Sequence, residues 1–169
     1  MANTYNLIAS STVGAGGASA IDFTSIPQTY TDLVVVCSTR YTTGSNGGDI
    51  QIKLNTLTTN FTYRFLYGTG SAAASSNGVD PLVGVNQGST DTASVFGNTS
   101  IYIPNYASSN NKSISSDSVT ENNATAAYMG LVATLWSNTA AITSVTLFNP
   151  TPRTFAQYST AYLYGIKKN

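Results

Sequence analysis

Asp32-Leu33-Val34-Val35-Val36-Cys37-Ser38-Thr39-Arg40-Tyr41, and downstream of it Ile50-Gln51-Ile52-Lys53-Leu54, decide how this chain folds. In the second stretch, apolar and polar residues alternate strictly, the period of a strand with one face buried. The first is a dense, valine-rich apolar run, too short for an independent helix and suited to a central strand. Between them, Asn46-Gly47-Gly48 marks a turn. Working outward, Phe61, Tyr63, Phe65 and Tyr67 repeat the alternation, with Arg64 on the opposite side. Near the C-terminal end, Tyr158, Thr160, Tyr162, Tyr164 and Ile166 share one face, opposite Ala161 and Leu163. Tyr5, Leu7 and Ala9 form a similar face near the N-terminus. Ile101 and Ile103 close another strand before Pro104, and Ile114 and Val119 are the apolar points of a polar strand over 113–121.

Two stretches resist this reading. Thr69–Thr92 is rich in Gly, Ser, Ala and Asn. It is expected to be a long loop region, with a short extra strand around Leu82–Val85 or an order imposed by a neighbour. Ala124–Trp136 is open to two readings. Tyr128, Leu131, Val132 and Leu135 would make a helical stripe, whereas Gly130 and the surrounding strands favour a strand with Met129, Leu131, Ala133 and Leu135 on one face. Eight to ten strands without βαβ spacing predict an all-β single domain over residues 1–169. The expected architecture is an antiparallel two-sheet β-sandwich of jelly-roll type.

Charge is scarce: Lys and Arg total 7 against 7 Asp and Glu, only 8% of the 169 residues. Ordinary soluble domains carry about three times that fraction. Zero net charge removes the repulsion that keeps free domains apart and suits a packed assembly. The basic residues are scattered, so nucleic acid is not an expected partner. No apolar run approaches a membrane span, and no signal-peptide pattern precedes Tyr5. The single cysteine, Cys37, lies in the valine run and reads as a buried small hydrophobe.

The chain contains no histidine, which removes the usual neutral-pH base, the Ser/His and Cys/His nucleophiles and the commonest transition-metal ligand. Neither a cofactor nor a metal site is expected. Asp117 and Glu121 are the closest acidic pair in sequence. On one strand they would stand ~13 Å apart, beyond the spacing glycoside hydrolysis uses. The chain is therefore read as not an enzyme. Tyrosine and tryptophan rings remain, and such rings serve both protein interfaces and sugar platforms.

Tyr5-Asn6-Leu7-Ile8-Ala9-Ser10, Ile21-Asp22-Phe23-Thr24-Ser25-Ile26-Pro27 and Tyr30-Thr31-Asp32-Leu33 carry a resemblance, as do Leu135-Trp136-Ser137-Asn138-Thr139 and the closing Tyr158–Ile166. With Ile101–Tyr106 and Lys112–Asn123, they resemble small structural proteins of tailed bacteriophages, those of aquatic hosts in particular. The resemblance implies a virion component on the outer surface, on the head rather than the tail. That component would be a decoration or cement protein binding the major capsid protein and copies of itself. The expected interface residues are Tyr5, Leu7, Tyr158, Tyr162 and Tyr164. The alternative expectation is a tail-fibre module that binds host-surface glycan on a platform of Tyr102, Tyr106 and Trp136.

Overall fold

The computed structural model describes residues 4–45, 47–123, 127–151 and 153–167. Among them are twelve strands: β1 (Tyr5–Thr12), β2 (Ala20–Phe23), β3 (Asp32–Thr39), β4 (Gly48–Leu54), β5 (Phe61–Gly68), β6 (Ala73–Gly78), β7 (Leu82–Asn86), β8 (Gly97–Ile103), β9 (Lys112–Val119), β10 (Met129–Trp136), β11 (Val145–Phe148) and β12 (Thr160–Ile166). Eight form one sheet in the order β1-β12-β3-β8-β9-β10-β5-β6, and four form a second in the order β2-β11-β4-β7. Every pairing between these strands is antiparallel. The all-β two-sheet antiparallel sandwich is thus the fold.

The alternation read in the sequence sets the core. Leu33, Val35, Ile101, Ile103 and Leu163 from the large sheet meet Ile50, Ile52, Leu54, Val145 and Leu147 from the small one, all fully buried. A smaller cluster of Phe65, Leu82, Val85 and Val132 fills the space between β7 and the β10–β5 pair. At β1 the expected Tyr5-Leu7-Ala9 face is broken by a register shift between Leu7 and Ala9. This bulge leaves Tyr5 and Leu7 exposed and turns Ala9 toward the core.

The region 69–92, expected to be a loop with a short extra strand around Leu82–Val85, holds that strand as β7 and a second, β6, that the sequence reading did not place. β6 forms a hairpin with β5, and β7 is buried at every position. Burial on both faces erases the two-residue period, which is why Leu82-Val83-Gly84-Val85-Asn86 gives so weak a signal. Gly84 is small because an added Cβ would press on Thr99 and Ser118 of the facing sheet, at 3.0–3.2 Å. Hydroxyls from that sheet also serve the β7 backbone. Ser118 Oγ accepts from the Val85 amide at 3.3 Å, and Thr134 Oγ1 donates to the Leu82 carbonyl. The polar strand over 113–121 therefore turns Ser116 and Ser118 inward, where they are buried. After β7, the Arg40 guanidinium holds the next loop by donating to the carbonyls of Ser89, Asp91, Thr92 and Val95 at 2.8–3.3 Å.

The segment left open between helix and strand is strand β10 from Met129 onward, and residues 124–126 lie outside the described ones. Gly130 faces inward, and the Phe65 ring of the neighbouring strand lies in the space its missing side chain leaves. That ring stacks in turn on Tyr67 at 4.8 Å. An aromatic residue covering a strand glycine restores the packing that glycine forfeits.

Candidate functional site

Cross-strand register defines what the outer face of the large sheet displays. One row runs Leu7–Tyr164–Val34–Tyr102 across β1, β12, β3 and β8. It continues Ser115–Ala133–Arg64–Asn77 across β9, β10, β5 and β6. The adjacent row runs Tyr162–Val36–Ser100–Asp117–Leu131–Leu66–Ser75. Two environments result, one aromatic and one mixed.

The aromatic half lies over β1, β12 and β3. Tyr5 meets Tyr164 edge-on at 6.4 Å between ring centroids, and Tyr164 stacks on Tyr162 at 6.5 Å. Tyr5 is 57% and Leu7 56% exposed, so this ladder is open to a partner. Four of the five expected interface residues, Tyr5, Leu7, Tyr162 and Tyr164, come together here. Tyr158 does not join them. It is exposed, but it occupies the turn before β12 with a left-handed backbone (φ 69°), its amide donating to the Val13 carbonyl at 3.0 Å.

The expected sugar platform does not assemble. Tyr106 and Trp136 are fully buried, so neither presents a ring face to a ligand in this fold. Tyr106 donates its hydroxyl to the Pro27 carbonyl, tying the segment before β3 to the sheet end. Trp136 stacks on Phe61 at 6.1 Å. It also lies beneath Lys112, whose Nζ stands 5.8 Å from the ring centroid. Only Tyr102 is on the surface. Its hydroxyl donates to Asp32 at 2.9 Å, and burial, then the Asp32 carboxylate, push the phenol above its usual value.

Beyond Tyr102 the outer face sinks into a groove of about 560 Å³ lined by residues of β5, β6, β8, β9 and β10. Within the first row, Tyr102 and Arg64 flank the small side chains of Ser115 and Ala133. Asp117, Leu131 and Leu66 form the flank in the second row, where Leu66 and Leu131 are 57% and 60% exposed. Among the described residues, Arg64 donates to the adjacent Tyr63 carbonyl, at 2.8 Å. Among the described residues neither Arg64 nor Asp117 forms an ion pair.

Sequence reasoning noted Arg64 as opposite the aromatic face and Asp117 as one of the closest acidic pair, but it did not bring them to one site. Only the pairing of β9 and β5 to either side of β10 does that, across 53 residues of sequence. Glu121 is turned to another task, its carboxylate accepting from the Asn123 amide at 2.7 Å. Among the described residues, no group of three or more His, Cys, Asp or Glu is placed to hold a metal ion. Comparison of this chain with protein-family models, curated proteins and solved structures finds no match.

Proposed function

We propose that this chain is a non-enzymatic structural protein of a tailed-phage particle, a head decoration or cement protein that docks on the capsid exterior. The observation that carries the reading is the Leu7–Tyr164–Val34 row with Tyr5 and Tyr162 beside it, an open aromatic ladder on a domain with few charges. Tyrosine ladders supply apolar area with a hydrogen-bonding tip, the composition favoured at the centres of protein interfaces. A domain that binds only the assembled shell stabilises it by mass action and needs no reaction. The phage-like segments quoted above supply the partner, the major capsid protein, and the location, the outer surface of the head.

The finer topology is part of the same reading. The orders β1-β12-β3-β8 and β2-β11-β4-β7 have the interleaving of two four-stranded jelly-roll sheets. We read β5–β6 and β9–β10 as two inserted hairpins that widen one of them. The test is imaging of intact particles at side-chain resolution, with expected density for this chain on the head lattice and the tyrosine ladder against the shell. Density confined to the tail would overturn the location. Unchanged shell survival on heating or in low salt after removal of the protein would overturn the cementing role.

A further inference from the structure

We propose that the groove between Tyr102 and Arg64 is a binding site for a neutral pyranose glycan. This goes beyond particle docking and uses a different part of the face. The aromatic ladder belongs to β1, β12 and β3, while the groove is built on β8, β9, β10, β5 and β6.

The shape comes first. In the row Tyr102–Ser115–Ala133–Arg64, two large side chains bracket two small ones over three strand spacings. At about 4.8 Å per spacing, the walls stand on backbone about 14 Å apart. The space of about 560 Å³ falls within the range of small-ligand sites, roughly 300–1,000 Å³.

The chemistry narrows the occupant. A pyranose presents an apolar C–H face and a rim of hydroxyls, each both donor and acceptor. The groove answers with the exposed apolar side chains of Leu131 and Leu66 and the half-open Tyr102 ring. For the rim it offers one carboxylate acceptor, Asp117, one guanidinium donor, Arg64, and the Asn77 amide, which does both. One positive and one negative group, not paired with each other, leave the site neutral. An anionic ligand that gained from Arg64 would be repelled by Asp117, so a nucleic acid or a polysialylated chain fits poorly.

Other occupants fit less well on geometry. The groove floor presents side chains from the middle of a sheet, so its backbone groups are already paired and an extended peptide cannot add as a strand. A second copy would bring the same hollow, and two facing hollows leave space unfilled over Ser115 and Ala133, against the close packing of protein interfaces. A ligand smaller than a protein and convex on its apolar side fills the groove.

The test is amide-shift titration of the ¹⁵N-labelled chain with methyl glycosides of glucose, galactose and mannose, and with maltohexaose, cellohexaose and sialyllactose. The expected result is saturable shifts at residues 64–66, 75–77, 100–102, 115–117 and 131–133 with at least one neutral saccharide, at the millimolar affinity of a small, shallowly held ligand. Asp117→Asn and Ala133→Phe should each weaken that binding at least about tenfold with the thermal midpoint unchanged. Both side chains face outward, so folding is not at stake. The proposal is overturned if no neutral saccharide shifts these amides at about 50 mM, or if binding survives Ala133→Phe. Preference for sialyllactose would also overturn it, as would a free chain that is a dimer with these amides buried between copies. None of these outcomes bears on the tyrosine ladder, so particle docking stands or falls separately.

Discussion

Replacing Lys112 by methionine should destabilise the fold by about 2–3 kcal/mol, although the change looks conservative for a buried position. Lys112 opens β9, is 1% exposed and has no carboxylate partner among the described residues. Its ammonium donates three hydrogen bonds of 2.7 Å, to the carbonyls of Ser108, Asn110 and Ala140. These carbonyls belong to the β8–β9 and β10–β11 connections, so one cation ties two loops over the Trp136 ring. Hydrogen bonds from a charged donor are worth about 1.5–3 kcal/mol each, and methionine removes all three. Against that, the desolvation of a buried ammonium, several kcal/mol, is relieved. Asn110 and Ala140 are exposed, so water recovers part of their loss. The balance is a net loss of about 2–3 kcal/mol, or about 5–10 °C in a domain of this size.

Differential scanning calorimetry at neutral pH is the direct measurement. Lys112→Arg should recover only part of the loss, because a planar fork cannot aim three donors at three carbonyls converging on one point. Lys112→Ala should be worse than Lys112→Met by the packing of the stem on Trp136. A methionine variant as stable as the parent, or more so, would refute the reasoning. It would mean that the desolvation term outweighs the three bonds.

Gly130→Val should cost about 2–3 kcal/mol, because its side chain must displace the Phe65 ring that occupies the site. Urea unfolding should show a lower midpoint at an unchanged slope. Cys37 is fully enclosed, and burial pushes its thiol up to about 12 from the ordinary 9.0. Ellman's reagent should therefore not react with the native chain and should react on unfolding. The folded state keeps this proton to about pH 12 while the unfolded chain loses it near 9.0. Stability should then fall as pH rises through that window, by up to about 1.4 kcal/mol per unit from this group, and Cys37→Ala should flatten the decline. Tyr5→Ser combined with Tyr162→Ser should weaken particle binding about 10- to 100-fold while moving the thermal midpoint little, as both are exposed ladder residues. Unchanged binding would remove the ladder from the docking surface.

How far the sequence reads through to the structure depends on whether a strand has one buried face. For β4 and β5 the alternation gives both the strand and the apolar inward face, whereas for β12 it gives the strand but leaves open which of its two faces, the tyrosines or Ala161 and Leu163, turns inward. β10 shows the difficulty. Its outward residues, Met129, Leu131, Ala133 and Leu135, are more uniformly apolar than its inward set, which includes Gly130 and Thr134. Composition alone would place the wrong face inside, and only the Phe65 ring on Gly130 and the Thr134 bond to β7 explain the choice. Tyr106 and Trp136 failed as surface rings for a related reason. An aromatic residue at a strand end or just beyond it has no sequence mark that separates a core plug from a platform. The groove was the least legible feature, since its walls meet only through the register of five strands drawn from residues 64 to 133.

The position of β12 between β1 and β3 has a consequence for the order of events during synthesis. Thr12 pairs with Thr160, so β1 waits for about 150 further residues, roughly 10–30 s of ribosome time, before its partner exists. Until then β3 also lacks a neighbour on that side, and the tyrosine ladder has no Tyr162 or Tyr164. The aromatic surface is therefore completed only after nearly the whole domain has left the ribosome. Nascent chains would lack that docking surface while still being made.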